Sequence, residues 1–151
     1  MIRNNFKMKV YGMFYLFMKL VHIFSVFIYG GFLFTDNLFF ARIQEKVTQQ
    51  EYAKMRELFM TFVRKVVPKS LIVAVISGIY LFYENFGVIA DEGLNSFQIV
   101  LLIKAFFGLW LGLRGILQVF FKINPLVFKS HRFPFLVVII IIALSQVMHF
   151  V

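Results

Sequence analysis

Two basic side chains, His22 and Lys104, lie deep inside long apolar stretches of the chain. His22 falls about eight residues after Phe14 and Lys104 about eight after Ser96, so helical geometry predicts a depth of roughly 12 Å below one membrane surface for both. An ionisable group at that depth is expensive and marks a functional site. Imidazole is a usual axial ligand of haem iron, and a lysine beside it can pair with a propionate or transfer a proton. These two residues are therefore the predicted catalytic pair.

Three further polar side chains extend this pair into a predicted cofactor site. Ser25 and Tyr29 follow His22 at steps of three and four residues, so they share its face of a helix. His149, near the end of the last apolar stretch, is predicted to lie closer to the same surface. Together with Lys104 they predict a cavity in one half of the membrane that has room for haem.

Sulfur ligands favour a second cofactor. Met18 lies one turn before His22, and Met148 adjoins His149. Thioether and imidazole together suit Cu(I). The two Met–His pairs therefore predict a copper site as the alternative to haem, and the sequence leaves both metals open.

The elements that hold these residues follow from composition. Of 151 residues 61% are apolar and 15% are charged, whereas soluble domains average about 45–50% and about 25%. Four apolar stretches occupy residues 11–34, 66–86, 97–121 and 133–151. Each is long enough to cross a hydrocarbon core of about 30 Å, and a spanning segment of this type must be a helix because its backbone groups have to bond internally. The predicted fold is all-α, an integral membrane four-helix bundle forming one domain over residues 1–151.

The third predicted span carries a stripe of glycines. Gly108, Gly112 and Gly115 recur on the face of Lys104, and the first two form a GxxxG motif that allows close approach of helices. Close packing explains such a stripe in most spans. Room for a flat macrocycle in the core of the bundle is the functional alternative.

The other ionisable groups within the predicted spans have simpler interpretations. Lys19 and Arg114 are long enough to extend toward opposite membrane surfaces. Glu84 is interpreted either as an interfacial end-cap or as the counter-ion of Lys104. Asp36 lies toward the end of the first span and is predicted to be interfacial.

The connection between the first two spans is polar and patterned. Thr48 and Glu51 match a capping box, which predicts the start of a helix. Apolar residues then recur at three- and four-residue steps, at Tyr52, Met55, Phe59, Phe62, Val63 and Val66. We expect an amphipathic helix over residues 48–65 that lies at the membrane interface, with docking of a partner as the alternative. Pro68 is expected to kink or restart the helix where it enters the second span.

The charge distribution predicts topology. The net charge is +9, and most basic residues lie in the first and third loops. They are Arg42, Lys46, Lys54, Arg56, Arg64 and Lys65, with Lys69 just beyond, and Lys122, Lys129 and Arg132. The positive-inside rule places these loops in the cytoplasm and both termini outside, so nucleic acid is not needed to explain the charge. The absence of cysteine excludes disulfides, thiolate metal sites and a cysteine nucleophile.

The residues around His22 and Lys104 resemble the HemJ-type membrane proteins, which are related in pattern to the CopD copper-resistance domain. The positions that carry the resemblance are residues 20–26, Gly30-Gly31, Pro68, residues 78–81, and Phe97-Gln98 ahead of Lys104. The resemblance implies a haem-pathway protoporphyrinogen oxidase of the bacterial inner membrane. Its functional pair is a histidine in the first helix and a lysine in the third, tied to haem b, and these map onto His22 and Lys104.

Three functions therefore remain open from the sequence. The first is a HemJ/CopD-like protein that binds haem or porphyrin and has oxidase-like redox activity. The second is copper handling. The third is a non-catalytic accessory subunit whose glycine faces pack against a larger membrane complex, or against further copies of the chain.

Overall fold

The computed structural model describes residues 2–120 and 132–151, including the side chains of residues 10–117 and 132–151. The chain forms α1 (Ile2–Phe34), a π-helical segment (Thr35–Phe40), the short α2 (Ala41–Ile43), α3 (Gln49–Phe86), α4 (Ser96–Phe120) and α5 (Arg132–Val147). The described ranges contain no β-strand, so the all-α prediction is confirmed, with four long helices as expected. The predicted third loop, with Lys122 and Lys129, lies outside the described residues.

Three helical segments are long and apolar enough to cross a membrane: Val10–Ile43, Gln49–Phe86 and Ser96–Leu117. The fourth apolar helix, α5, has 16 residues, and a turn over residues 148–150 follows it. At 1.5 Å per residue α5 is about 24 Å long, which is less than a typical hydrocarbon core. Large apolar side chains cover the outward faces, as expected for contact with lipid, and they include Phe17, Phe24, Phe27, Phe106 and Leu113.

The capping box at Thr48 and Glu51 is formed as predicted. The Glu51 backbone N–H donates to the Thr48 hydroxyl oxygen at 3.3 Å, and the Thr48 N–H donates to the Glu51 carboxylate at 3.0 Å. From there α3 runs without interruption to Phe86, with Pro68 inside it. The amphipathic segment is thus the first part of α3, and the helix does not restart at Pro68. Apolar surroundings favour this continuity, because any further unbonded backbone group would be costly there.

The four long helices form a closed ring in the order α1, α3, α4, α5. α1 and α3 are antiparallel. At one end the Tyr15 hydroxyl donates to Asn85 Oδ1 at 3.1 Å, and at the other the Phe40 and Phe59 rings lie 4.7 Å apart. We name the end near Tyr15 and Asn85 the loop end (residues 86–96) and the end near Phe40 and Phe59 the hairpin end (residues 40–52).

The other two helices complete the ring. α4 packs on α3 where Gly112 and Gly115 face Val75 and Leu71, and a Cβ at either glycine would overlap its neighbour. α5 packs on α4 through Trp110 and Phe133 and on α1 through Phe34 and Phe135, with ring centroids 5.3 and 4.8 Å apart. The buried core between the helices is formed by Tyr29, Leu33, Leu71, Leu111, Val137 and Val138.

Candidate functional site

His22 is held against α3 by its imidazole. Nδ1 lies 3.0 Å from the Ala74 carbonyl oxygen and 3.1 Å from the Ser77 hydroxyl oxygen. A carbonyl oxygen can only accept, so Nδ1 carries the proton and donates it to Ala74. In the neutral imidazole the proton-free nitrogen is then Nε2, whose lone pair is directed away from this bond.

The local sequence of α3 creates this contact. The Ser77 hydroxyl donates a hydrogen bond to the Val73 carbonyl oxygen at 2.6 Å. The lone pairs of the hydroxyl oxygen can then accept from Nδ1. Gly78 provides the space, because a Cβ at that position would lie 3.0 Å from His22 Cε1. A larger residue would push the ring away from the α3 backbone.

This arrangement is typical of a metal-ligating histidine. Such residues donate one ring N–H to a carbonyl or carboxylate, which fixes the ring orientation and raises the basicity of the other nitrogen. His22 therefore offers one oriented nitrogen donor from the interface between α1 and α3.

Lys104 lies diagonally across the ring, on α4. Gly112 packs beside Val75, so in antiparallel register Lys104 falls near the level of residues 82–83, one to two turns closer to the loop end than His22. The ammonium group is within Coulombic range of both His22 and Lys19. The two predicted site residues are thus on one side of the molecule, with Lys104 nearer the surface.

Glu84 does not neutralise Lys104. The Glu84 carboxylate is exposed on α3, one turn after Tyr80. Within residues 10–117 and 132–151, no carboxylate lies within 4.0 Å of Lys104 or of Lys19. The role of Glu84 as an interfacial end-cap stays a prediction.

Ser25 and Tyr29 are buried on the face of α1 that also carries His22. The Tyr29 hydroxyl hydrogen-bonds to the Arg114 guanidinium, which is only 4% exposed. The prediction that Arg114 extends to a membrane surface is therefore wrong, because Tyr29 holds the guanidinium in the core. Tyr29 thus forms a contact between α1 and α4, and this contact lies closer to the hairpin end than His22 does.

The predicted copper ligands are more scattered. Met18 is half-buried on α1, Met148 is half-buried in the turn after α5, and His149 beside it is exposed. No group of three or more His, Asp or Glu side chains converges in the ranges that the structure describes. His22 is the best-oriented nitrogen donor among these residues.

A polar cluster at the hairpin end was not predicted. Asp36, buried in the π-helical segment, pairs with Arg56 of α3 at 3.2 Å, and Arg56 also donates to the Tyr52 hydroxyl at 2.9 Å. Asp36 is thus buried within the protein, and its interfacial position stays a prediction. A π-helix has no simple sequence signature, and the only usable signal was an aspartate and an arginine on either side of a short connection.

Comparison with protein-family models, with curated proteins and with solved structures finds no match to this chain. The resemblance to the HemJ-type family therefore depends on the sequence positions named above.

Proposed function

We propose that this protein binds a b-type haem, or a closely related porphyrin, in the half of the helix ring nearer the loop end, with His22 as the axial ligand to iron. The observation that carries the proposal is the 3.0 Å hydrogen bond from His22 Nδ1 to the Ala74 carbonyl oxygen. That bond fixes the ring on α3 and reserves Nε2 for a ligand, as in known haem and metal sites.

Lys104 would hold a propionate of the macrocycle. It lies closer to the membrane surface than His22, which suits a ligand whose iron is deep and whose carboxylates face outward. A cation in an apolar region is costly without a counter-charge, and a ligand carboxylate would supply one. The catalytic role proposed for Lys104 is to position that carboxylate and to carry a proton on Nζ.

An iron porphyrin, when bound, supplies one-electron chemistry. The contribution of the chain would be to fix the axial nitrogen, exclude water and bind the carboxylates. Oxidase activity of the HemJ type is the proposed reaction, and its support is the correspondence of His22 and Lys104 to the histidine and lysine of that family.

The visible absorption spectrum tests the proposal. The full chain, purified in detergent from haem-replete cells, should show a Soret band that is lost in His22→Ala and retained in the matched variant His149→Ala. A colourless wild-type preparation contradicts the proposal. Bound copper without a Soret band, lost in both variants, would instead support copper handling, and a colourless protein recovered only in a larger assembly would support the accessory role.

The membrane placement is also a proposal. We infer that the hairpin end lies in the cytoplasm of a bacterial inner membrane, and that the first part of α3 lies at the interface. Support comes from the basic residues at this end and from the outward face of α3. There Leu58 and Phe62 are 66% and 65% exposed, beside exposed Lys54 and Lys65.

A further inference from the structure

We infer that Lys19 and Lys104 together form a two-cation site that selects a ligand with two neighbouring carboxylates. The inference rests on the proposed function and narrows its ligand class to tetrapyrroles whose two propionates are free. Lys19 thereby becomes a specificity-determining residue rather than a side chain that simply extends to the membrane surface.

The positions of the two lysines carry the first step. Lys19 precedes His22 by three residues on α1 and so lies on the same face, one turn closer to the loop end. The register of α4 on α3 also places Lys104 on the loop-end side of His22. The two ammonium groups are within Coulombic range of each other although they belong to diagonal helices.

The second step is the missing counter-charge. Lys104 is half-buried and Lys19 is exposed, and their like charges repel each other. The acidic residues at the loop end are Glu84, Asp91 and Glu92, and all three are exposed. Among the described residues, no carboxylate lies within 4.0 Å of either lysine. A ligand with two negative charges would therefore neutralise the pair best.

The third step is the direction of the ligand. By helical register His22 lies farther from the loop end than both lysines, so a ligand that reaches all three groups needs a metal centre set back from its anionic groups. A b-type haem has this shape, because its iron is at the centre of an apolar ring and both propionates extend from one edge. An anionic phospholipid could neutralise the lysines too, but it would make no bond to His22.

Haem titration of the full chain, purified from haem-deficient cells, separates these alternatives. The probes are haem and its dimethyl ester, in which both carboxylates are blocked. Wild-type protein should bind haem more tightly than the ester. Lys19→Gln and Lys104→Gln should each weaken haem binding about tenfold, the effect expected for one charge-assisted hydrogen bond, without changing affinity for the ester.

Matched variants separate charge from folding. Lys69→Gln removes an exposed lysine of α3 that lies toward the hairpin end from Ala74 and Ser77, and it should leave both affinities unchanged. Lys19→Arg should restore haem binding because it keeps the cation. Equal affinity for haem and ester, or wild-type haem affinity in Lys19→Gln, overturns the two-cation site.

The proposed function fails in a different way. If His22→Ala abolishes the Soret band while Lys19→Gln binds haem normally, haem binding stands and the two-cation site falls. If lysine variants change thermal stability in anionic but not in zwitterionic nanodiscs, with haem and ester binding equally, the counter-ion is lipid and the inference is wrong. If wild-type protein binds neither probe, the proposed function itself is contradicted.

Discussion

His22 illustrates how one side chain can be constrained by the backbone of another helix. Its ring is fixed by a carbonyl of Ala74, a hydroxyl of Ser77 and the empty side-chain position of Gly78. Each of these contacts fixes the orientation of the imidazole ring, and none of them is made by a charged group. The consequence is an imidazole whose direction is fixed by the protein itself, and if His22 is a ligand, as proposed, this lowers the cost of binding.

Gly78 gives the most specific residue-scale prediction. Gly78→Val should displace the imidazole, because even a Cβ would lie 3.0 Å from His22 Cε1. Outer-shell changes of this type typically weaken metal affinity about 10- to 100-fold, and we expect haem affinity, measured by Soret titration, to fall within that range. Gly31→Val is the control, since a Cβ at Gly31 has no atom within 4 Å. Equal affinity in the two variants would show that Gly78 does not position the ring.

The sequence predicted the site only in part at this scale. His22 and Lys104 could be selected because an ionisable group inside an apolar run is unusual. Ala74 and Gly78 could not, since their roles depend on which face of α3 meets α1. The same non-local packing placed Tyr29 against Arg114 and Asp36 against Arg56.

At the scale of elements, α3 is the structural link between the hairpin end and the site. Its 38 residues would be about 57 Å long as a straight helix, so it extends well beyond a hydrocarbon core of about 30 Å. The start of α3 was predictable from the capping box, which is a local motif. Its continuity through Pro68 was not, because the surrounding helices decide whether a proline ends a helix.

The cap should stabilise the first turns of α3. Thr48→Ala removes the hydroxyl that accepts from the Glu51 N–H and should cost about 1 kcal/mol locally. Hydrogen exchange of the amides at the start of α3 should therefore become faster. Thr61→Ala, which alters an exposed mid-helix threonine bonded to Glu57, is the control. Unchanged exchange in Thr48→Ala would mean that tertiary contacts alone hold this helix start.

The glycines of α4 differ in role although they share a stripe. Gly112 and Gly115 face α3 side chains, whereas a Cβ at Gly108 would meet nothing within 4 Å. Gly115→Val should overlap Leu71 and destabilise the α3–α4 contact by about 1–3 kcal/mol, as overpacking does. Gly108→Val should have little effect. Thermal unfolding in detergent compares the two, and similar losses in both would contradict close packing at Gly115.

At the scale of the whole molecule, the ring of four helices explains how residues distant in sequence reach one side. The α1–α4 diagonal carries His22 and Tyr29 on one helix and Lys104 and Arg114 on the other. The bundle itself was predictable, because four long apolar stretches leave few alternatives. The order of helices around the ring was not, since hydrophobic length carries no information about neighbours.

The topology of the ring can be measured directly, because the chain has no cysteine. Val88→Cys places a thiol in the loop end at a position that is 92% exposed, and Lys46→Cys places one at the exposed hairpin end. A membrane-impermeant maleimide should label only Val88→Cys in intact cells and both variants after permeabilisation. Labelling of Lys46→Cys alone in intact cells would reverse the proposed orientation.

The central claim is that His22 is an axial ligand to haem iron, and chemical rescue tests it most directly. The His22→Gly variant, purified from haem-replete cells, should lack the Soret band of the wild type. It should regain a protein-bound Soret band, measured after unbound haem is removed by gel filtration, when haem and free imidazole are added together but not when haem is added alone. A His22→Gly spectrum identical to that of the wild type, or a wild-type protein with no Soret band, would contradict the claim.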